Sequence, residues 1–351
     1  MIKRKKTRQI AVGEVKIGGN APVSVQSMTN TDTRDAEKTL EQIQQCAAHG
    51  CDIIRVALPD MKAVEALPEI LDESPIPVIG DIHFNHELAV KSIEKGVQCI
   101  RINPGNIGSS EKVKKVIDAA KTANIPIRIG VNAGSLERDI KEQYGITADA
   151  LVESALRHVR YFESQNFYNI KLSLKSSSVP LTIEAYRNIS EKCDFPLHLG
   201  VTEAGTAFSG TIRSSIGIGT LLAEGIGDTI RVSLADEPVE EVKVGLELLR
   251  ALDLRKGPHL IVCPTCGRTE IDIISIAKKV EREVQKLHID KNISIAVMGC
   301  VVNGPGEAEE ADVGIAGGKG QAVLFKKGKI IRKIPEQEIV TELLKELQTI
   351  L

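Results

Sequence analysis

Three cysteines in the last third of the chain have the residue type and spacing of metal ligands. Cys263 and Cys266 form a Cys-x-x-Cys pair in "VCPTCGRTEID", and Cys300 ends the apolar run "ISIAVMGC". A strand is expected before each site, and a helix over about 269–287 after the pair. Amides at the start of a helix stabilise anionic sulfur, so both thiols of the pair are expected to ionise and bind a metal.

Three kinds of cysteine chemistry fit this arrangement. A structural zinc site closes four positions with Cys or His, and His259 and His288 are available to complete one. A thioredoxin-like redox pair uses only the Cys-x-x-Cys motif and leaves Cys300 without a role. Three thiolates with one weaker ligand are instead typical of a reactive [4Fe–4S] cluster, whose remaining iron can meet substrate. The spacing favours the cluster, with zinc as the alternative.

The segment "CVVNGPGEAEE" offers a fourth ligand for such a cluster. The glycine and proline residues at 304–306 can reverse the chain, so that Glu307 returns toward Cys300. A carboxylate oxygen is a harder ligand than a thiolate, and a substrate can displace it more readily. The alternative is that the glutamates of 307–310 form a solvated acidic loop.

The elements that position these residues alternate between strands and helices. Eight short β-branched runs begin near residues 23, 52, 76, 97, 125, 169, 196 and 229, and amphipathic helical patterns separate them. This order predicts an α/β fold with a parallel (β/α)₈ TIM barrel. A doubly wound sheet is the second choice, because the first strand lacks a phosphate-binding glycine motif. The linker "DLRKGPHL" then leads into a small α+β unit, so we expect domains over 1–253 and 254–351.

The predicted strand ends carry an unusual number of cations. A TIM barrel has its active site at the carboxyl ends of its strands. The polar residues expected there are Arg55, Asp81, His83, Arg101, Asn103, Arg128, Asn132, Lys175, Glu203 and Arg231. One buried arginine is explained by a salt bridge, but two carboxylates cannot neutralise five cations. Because guanidinium groups pair with phosphate oxygens, this barrel mouth is predicted to bind a small diphosphate or bisphosphate.

Composition limits the classes of function. The 351 residues are 42% hydrophobic and 26% charged, and the chain lacks an apolar run of the roughly 18 residues that span a bilayer. The basic start at 3–8 is read as a solvated leader, because the net charge is −2 and aromatic residues make up 3%. We therefore expect a cytoplasmic protein that binds neither membrane nor nucleic acid. The cysteines expected to be buried small hydrophobes are Cys46, Cys51, Cys99 and Cys193.

Several motifs together resemble one enzyme family. The motifs are "VQSMTNTDT", "RINPGNIG", "IRIGVNAGSL", "HLGVTEAG", "CPTCGRTEID" and "MGCVVNGPGEAEEADVGIAGG". They are similar to those of the 4-hydroxy-3-methylbut-2-enyl diphosphate synthases, the iron–sulfur enzymes of the non-mevalonate isoprenoid pathway. The resemblance runs from about residue 4 to the end and indicates the two-domain bacterial form.

The resemblance implies a reaction, a cofactor and a set of site residues. It implies a barrel followed by a ferredoxin-like iron–sulfur domain, and reductive ring-opening dehydration of 2-C-methyl-D-erythritol 2,4-cyclodiphosphate to (E)-4-hydroxy-3-methylbut-2-enyl diphosphate. The [4Fe–4S] ligands would be Cys263, Cys266, Cys300 and Glu307. The substrate would be held by Arg55, Asp81, His83, Arg101, Asn103, Arg128, Asn132, Lys175, Arg231, Ser233 and Asn303, with Lys171 as an alternative to Lys175. Glu203 would handle protons, and flavodoxin or ferredoxin would supply electrons.

Chain direction predicts that two copies share each active site. The helix expected over about 237–252 runs from the barrel mouth toward the opposite face, over roughly 24 Å. The linker "LRKGPH" spans at most about 20 Å, so a cluster domain reaches a partner's barrel mouth more readily than its own. We therefore expect a homodimer with composite sites, as the resemblance also implies. The other hypotheses are a barrel transferase for a pterin or other diphosphate, with zinc bracing the small domain, and a cluster-containing sensor or scaffold.

Overall fold

The computed structural model describes residues 2–287, 289–300, 306 and 308–351. It divides into two compact units, Met1–Arg255 and Lys256–Leu351. None of the helices among the described residues is both long and apolar enough to cross a membrane.

The first unit is the predicted (β/α)₈ barrel. Two short strands, β1 (Ile10–Val12) and β2 (Val15–Ile17), form a hairpin before it. The barrel strands are β3 (Ser24–Met28), β4 (Ile53–Ala57), β5 (Val78–Asp81), β6 (Cys99–Ile102), β7 (Ile127–Asn132), β8 (Ile170–Lys175), β9 (His198–Leu199) and β10 (Thr229–Ile230). All neighbours are parallel, in the order β8-β7-β6-β5-β4-β3-β10-β9. A bridge between Leu172 and Leu197 closes the ring.

Helices follow each strand and cover the outside of the barrel. They are α1 (Ala36–Ala48), α2 (Met61–Glu65), α3 (Leu67–Glu73), α4 (His86–Glu94), α5 (Pro104–Ile107), α6 (Ser110–Ala123), α7 (Arg138–Tyr144), α8 (Ala148–Ser164), α9 (Val179–Lys192), α10 (Ala207–Ala223) and α11 (Pro238–Ala251). Alternate strand residues such as Ile54, Ile100 and Ile129 point outward and pack in one hydrophobic core with these helices. The other half of each strand faces the barrel interior, and that half holds most of the buried polar residues of the strands.

The N-terminal hairpin closes the lower end of the barrel. Ile10, Val12 and Ile17 pack against the first inward residues of three strands in a separate apolar cluster. Sequence patterning did not identify this hairpin, because its two strands have three residues each.

The prediction of a solvated basic leader is wrong for two of its residues. Arg4 donates to the carbonyls of Ala21 and Gly227 and pairs with Asp228 at 3.2 Å. Lys5 Nζ donates to the carbonyl of Cys193 at 2.9 Å. These contacts hold the leader against the barrel, because the chain must pass there to form the hairpin.

The second unit is the predicted small α+β domain. Its elements are β11 (Pro258–Val262), α12 (Ile273–Lys286), β12 (Ile293–Met298), β13 (Val313–Gly318), β14 (Gln321–Lys326), β15 (Lys329–Pro335) and α13 (Ile339–Gln348). The sheet is mixed: β11, β12 and β13 are parallel, and β13, β14 and β15 are antiparallel. The apolar faces of α12 and α13 pack on the sheet around Val280, Ile295 and Leu343.

Candidate active site

The inward side chains of the barrel form layers, each contributed by alternate strands. We assign the layers from the pairing of residues on neighbouring strands, allowing for the tilt of the strands relative to the barrel axis. From the mouth downward, one layer holds Lys175, Asn103 and Ala57, and the next holds Met28, Asp81, Gly130 and Gly200. The guanidinium layer below them consists of Arg55, Arg101, Ser173 and Arg231. Bulky aliphatic side chains usually fill these positions, so a polar interior indicates a ligand site.

Asp81 is the carboxylate at the centre of this cationic interior. Its oxygens lie 3.3 Å from Arg101 Nη1, 3.9 Å from Arg55 Nε and 3.3 Å from His83 Nε2. Burial acts to raise the pKa of Asp81, but Arg55, the hydrogen bond from His83 and Arg101 outweigh it and hold the pKa well below its usual range. Asp81 is therefore ionised, and it offsets one positive charge among several.

A second carboxylate, which the sequence analysis missed, neutralises Arg231. Glu241 lies buried on α11, and its Oε1 accepts from Arg231 Nη2 at 3.1 Å. It also accepts from Ser27 Oγ at 2.8 Å, which fixes the carboxylate behind the barrel wall. A glutamate on a helix outside the barrel gives no sequence signal that it reaches a barrel arginine. The charge of Arg231 in the site is therefore already balanced by Glu241.

Arg55 has weaker partners. Its Nη2 approaches the sulfur of Met28 at 2.9 Å, and its Nε lies at the outer limit of an ion pair with Asp81. Burial lowers the pKa of Arg55 to about 10, although Asp81 acts in the opposite direction. A desolvated guanidinium with so little compensation favours an anionic ligand.

Arg128 and Lys175 are buried cations that form no ion pair with the described residues. Arg128 is the second residue of β7 rather than a strand-end residue as predicted, and its Nε and Nη1 have no hydrogen-bond partner there. Lys175 ends β8, as predicted. Burial, followed by neighbouring arginines, lowers the pKa of both side chains well below their ordinary values. An anion would relieve this desolvation.

Two glycines make room for these cations. A Cβ on Gly130 would lie 2.7 Å from Arg101 Nε, and a Cβ on Gly200 would lie 2.5 Å from Lys175 Nζ. Any side chain at either position would therefore displace a charged group of the site.

The asparagine, serine and histidine candidates occupy the rim of the barrel mouth. Asn103 caps α5 by accepting from the amide of Gly105, and its Nδ2 donates to Ser135 Oγ at 2.9 Å. When the Asn132 amide is oriented so that both its oxygen and its nitrogen form hydrogen bonds, the oxygen accepts from Arg101 Nη2 at 3.3 Å. His83 is exposed beyond its contact with Asp81, and Ser233 is half-buried after β10. All four lie on segments that follow barrel strands or at a strand end.

Glu203 lies exposed on the segment that follows β9. Its φ is +53°, in the left-handed region that residues other than glycine, asparagine and aspartate rarely adopt. Such backbone costs about 1–3 kcal/mol and is concentrated at functional sites. The strained turn presents a carboxylate to solvent at the mouth end of the barrel.

The cysteine candidates lie at the carboxyl ends of neighbouring parallel strands. Cys263 directly follows β11, and Cys300 lies two residues beyond β12, with Val262 paired to Val297. The amide of Gly299 donates to Cys263 Sγ at 3.1 Å. Amide hydrogen bonds to sulfur stabilise thiolate ligands and tune iron–sulfur clusters. The Gly299 amide therefore suits a thiolate ligand at Cys263, as an iron–sulfur group requires.

The surroundings of Cys266 differ from the prediction. Helix α12 begins at Ile273 with Asp272 as its N-cap, so Cys266 lies in a loop and not at the helix start. A hydrogen bond from the Arg268 amide is the largest cause that lowers the pKa of Cys266. Within the described part of the chain, no three Cys, His, Asp or Glu side chains stand close enough together to hold a metal ion.

The zinc alternative loses one of its proposed ligands. His259 is an exposed residue of β11, four positions before Cys263, which separates their Cα atoms by about 13 Å. The other proposed zinc ligand, His288, lies outside the described residues, as do Glu307 and Asn303. Their proposed roles remain predictions.

Fold and site together define a class of two-domain protein, with a cation-lined barrel followed by a separate cysteine-bearing α+β unit. The model of the GcpE TIM-barrel domain matches residues 7–246, and the model of the GcpE protein C-terminal domain matches residues 259–349. The chain belongs to the GcpE family.

Curated relatives agree with this assignment over the whole chain. One from Caldanaerobacter subterraneus subsp. tengcongensis is 62% identical, covering 99% of this chain and 98% of its own. One from Geobacter sulfurreducens is 58% identical, with 99% and 98% covered. Both are named 4-hydroxy-3-methylbut-2-en-1-yl diphosphate synthase (flavodoxin). The family resemblance predicted from sequence is confirmed.

Solved structures support the barrel fold alone. Dihydropteroate synthase from Stenotrophomonas maltophilia superposes with a TM-score of 0.52 at 12% identity, covering 70% of this chain and 98% of that one. The enzyme from Thermus thermophilus gives 0.51 at 14% identity, with 70% and 99% covered. At such low identity the similarity carries no information about substrate.

Lys171 provides a stability prediction for the barrel interior. Its Nζ is fully buried without a hydrogen-bond partner among the described residues, and burial lowers its pKa to about 8. The unfolded chain therefore binds more protons between pH about 8 and 10.5, and stability should rise with pH across that window. Lys171→Met should stabilise the protein at pH 7 by about 1–3 kcal/mol and remove the contribution of Lys171 to that rise.

Urea unfolding at a series of pH values and low ionic strength measures this effect. The exposed Lys192 on α9 supplies the control, because Lys192→Met removes a charge that is already in water. A Lys171→Met protein with wild-type stability at pH 7 and wild-type pH dependence would contradict the assigned desolvation.

Proposed function

We propose that this protein catalyses the two-electron reductive ring-opening of 2-C-methyl-D-erythritol 2,4-cyclodiphosphate to (E)-4-hydroxy-3-methylbut-2-enyl diphosphate. The reaction breaks the carbon–oxygen bond that closes the diphosphate ring and expels a hydroxyl group as water. Two electrons and two protons are taken up, so atoms and charges balance. The names of the relatives support this activity, and the barrel interior supports the substrate class.

The observation that carries the proposal is the excess of desolvated cations in the barrel interior. After Glu241 pairs with Arg231, Asp81 is the carboxylate left among four further cations, Arg55, Arg101, Arg128 and Lys175. A cyclic diphosphate brings about two negative charges and an array of phosphate oxygens that match guanidinium donors. Such a ligand would pair with these cations and offset the free energy that their desolvation costs, which favours binding.

Each group of side chains has a task in this reaction. The four cations hold the diphosphate and stabilise charge that develops on the leaving phosphate oxygen. Asn103, Asn132, His83 and Ser233 would orient the carbon skeleton, and Asn303 would contact it from the second unit. Glu203 would deliver the proton that leaves with the hydroxyl group.

Cys263, Cys266, Cys300 and Glu307 would hold a [4Fe–4S] cluster. When bound, the cluster supplies electrons singly and a Lewis-acidic iron. Reduced flavodoxin is the proposed donor, because the names of the relatives specify flavodoxin, and ferredoxin is the alternative.

Substrate affinity should depend on Arg128. Arg128→Ala is expected to weaken binding of the cyclic diphosphate by about 10- to 100-fold, the scale of losing a charged hydrogen-bonding group. Titration calorimetry under anaerobic conditions without reductant measures binding apart from turnover. The control is Arg187→Ala, which removes an exposed arginine paired with Glu224 on the outer helices. Equal affinity in the Arg128→Ala and control proteins would exclude Arg128 from the substrate site.

We further propose a homodimer in which each active site combines the barrel of one chain with the cysteines of the other. Helix α11 carries the chain away from the mouth over about 21 Å, and β11 starts at Pro258, soon after α11 ends at Ala251. A two-fold pair of chains allows the second unit to serve the partner's mouth.

Mixing two inactive chains tests the composite site. Cys300→Ser and Glu203→Gln proteins, each nearly inactive alone, should regain up to about a quarter of wild-type activity after subunit exchange. This value follows because half the dimers are mixed at equal ratio, and each mixed dimer holds one intact site. A double-tagged heterodimer must be isolated to verify exchange. Verified heterodimers that remain inactive, or an active monomer, would exclude sharing.

A further inference from the structure

The two deepest interior layers of the barrel are polar and lie below every residue assigned to the substrate except Arg128. The registers place Thr229, Lys171, Cys99 and Ile53 in the lowest layer. They place Gln26, His198, Arg128 and Ile79 in the layer above it. We call these eight residues the deep layers. All eight are buried, and the apolar hairpin cluster closes them from below.

Most polar groups of the deep layers lack partners among the described residues. They are Thr229 Oγ1, Lys171 Nζ, both amide atoms of Gln26, both ring nitrogens of His198, and Nε and Nη1 of Arg128. A buried polar group without a partner costs about 1–3 kcal/mol, and more when it is charged. So many such groups on adjoining strands cannot be a by-product of packing, because each position could hold an aliphatic side chain.

The chemistry of the deep layers selects an acceptor with negative charge. Lys171 and Arg128 contribute two cationic donors, whereas the deep layers contain no carboxylate, and Asp81 lies two layers above Arg128. Burial, with the nearby cations Lys175 and Arg128, lowers the pKa of His198 well below its usual value, so its imidazole is neutral and offers one N–H. Donors therefore outnumber acceptors, and the net charge is positive.

We propose that the deep layers form a binding site for a small monovalent inorganic anion, separate from and beneath the diphosphate site. A halide is the class that fits, because it accepts from several directions and needs little space. Thr229 and Cys99 are the smallest side chains of the lowest layer, so the anion would lie beside them. The anion would neutralise Lys171 and hold Arg128 from below. This inference does not depend on the proposed reaction.

Bromide diffraction tests the site directly. Crystals of the full-length protein grown in bromide, with data collected at the bromine edge, should show an anomalous peak within contact distance of Lys171 Nζ. The peak should be lost in Lys171→Met and retained in Lys175→Met, which makes the same change four residues, or about 13 Å, farther along the same strand. A peak that appears only above Asp81, or no peak inside the barrel, would overturn the proposal.

A solution titration separates the two anion sites. Replacing gluconate by bromide at constant ionic strength should raise the melting temperature of the wild type and of Lys175→Met with saturation, and Lys171→Met should bind at least about tenfold more weakly. The bromide effect should persist when the cyclic diphosphate is saturating. Competition between bromide and the cyclic diphosphate would place the anion in the substrate site and exclude a separate one. A non-saturating or equal effect in all three proteins would also contradict the proposal.

Discussion

Cys263→Ser protein purified without oxygen is expected to lose most of its iron and sulfide and to turn over more than about 10²-fold more slowly. This loss exceeds the effect of removing a residue that hydrogen-bonds to a metal ligand without binding the metal itself. The reason is that Cys263 is one of the three proposed thiolate ligands, and its Sγ also accepts from the Gly299 amide. A serine oxygen binds iron poorly in comparison with a thiolate. Glu307→Ala should have a smaller effect, because three thiolates remain, and should leave a labile or three-iron cluster.

Metal and sulfide analysis, with the visible absorption spectrum, measures this prediction. Cys193→Ser is the matched control, since Cys193 is a half-buried cysteine of the barrel unit and should retain full cluster content. Stoichiometric zinc without sulfide in the wild type would contradict the cluster. A Glu307→Ala protein with unchanged iron, spectrum and turnover would remove Glu307 from the ligand set.

Glu203→Gln is expected to lower turnover by about 10² or more while substrate affinity stays within about tenfold of the wild type. The amide keeps the size of the side chain but cannot donate a proton as a carboxylic acid does. Because the Glu203 side chain is exposed, and the residue keeps its backbone φ of +53°, the substitution should leave the free energy of unfolding almost unchanged.

Steady-state kinetics and anaerobic substrate titration together separate binding from chemistry. Glu237→Gln is the control, because Glu237 is also exposed on the segment after a barrel strand, where it precedes α11. Normal turnover of Glu203→Gln would exclude the proton-delivery role. A large loss of affinity with unchanged turnover would assign Glu203 to substrate binding instead.

Sequence patterning predicted the features that depend on local order. Alternation of strands and helices predicted the barrel, and Asp81 and Lys175 were found because each ends a strand. Depth within the barrel could not be predicted, because it depends on register between strands. Arg128 therefore proved to be a deep residue, and the layer that contains His198 was not identified.

Long-range contacts account for the other differences. The Glu241–Arg231 pair joins a helix to a barrel strand through the wall, and the Arg4–Asp228 pair joins residues at opposite ends of the unit's sequence. The start of α12 was misplaced because the loop after Cys266 has residues that suit a helix, whereas the cap is Asp272. Such features depend on tertiary structure and leave no periodic signal.

Anaerobic turnover with a defined electron supply is the most direct test of the proposed reaction. The protein should be incubated with 2-C-methyl-D-erythritol 2,4-cyclodiphosphate and limiting reduced flavodoxin, and the product identified by mass and chromatography. We expect one (E)-4-hydroxy-3-methylbut-2-enyl diphosphate for every two electrons consumed, with none formed by the Cys263→Ser protein. Absence of this product from cluster-loaded wild-type protein with active flavodoxin, or product formation without electron consumption, would contradict it.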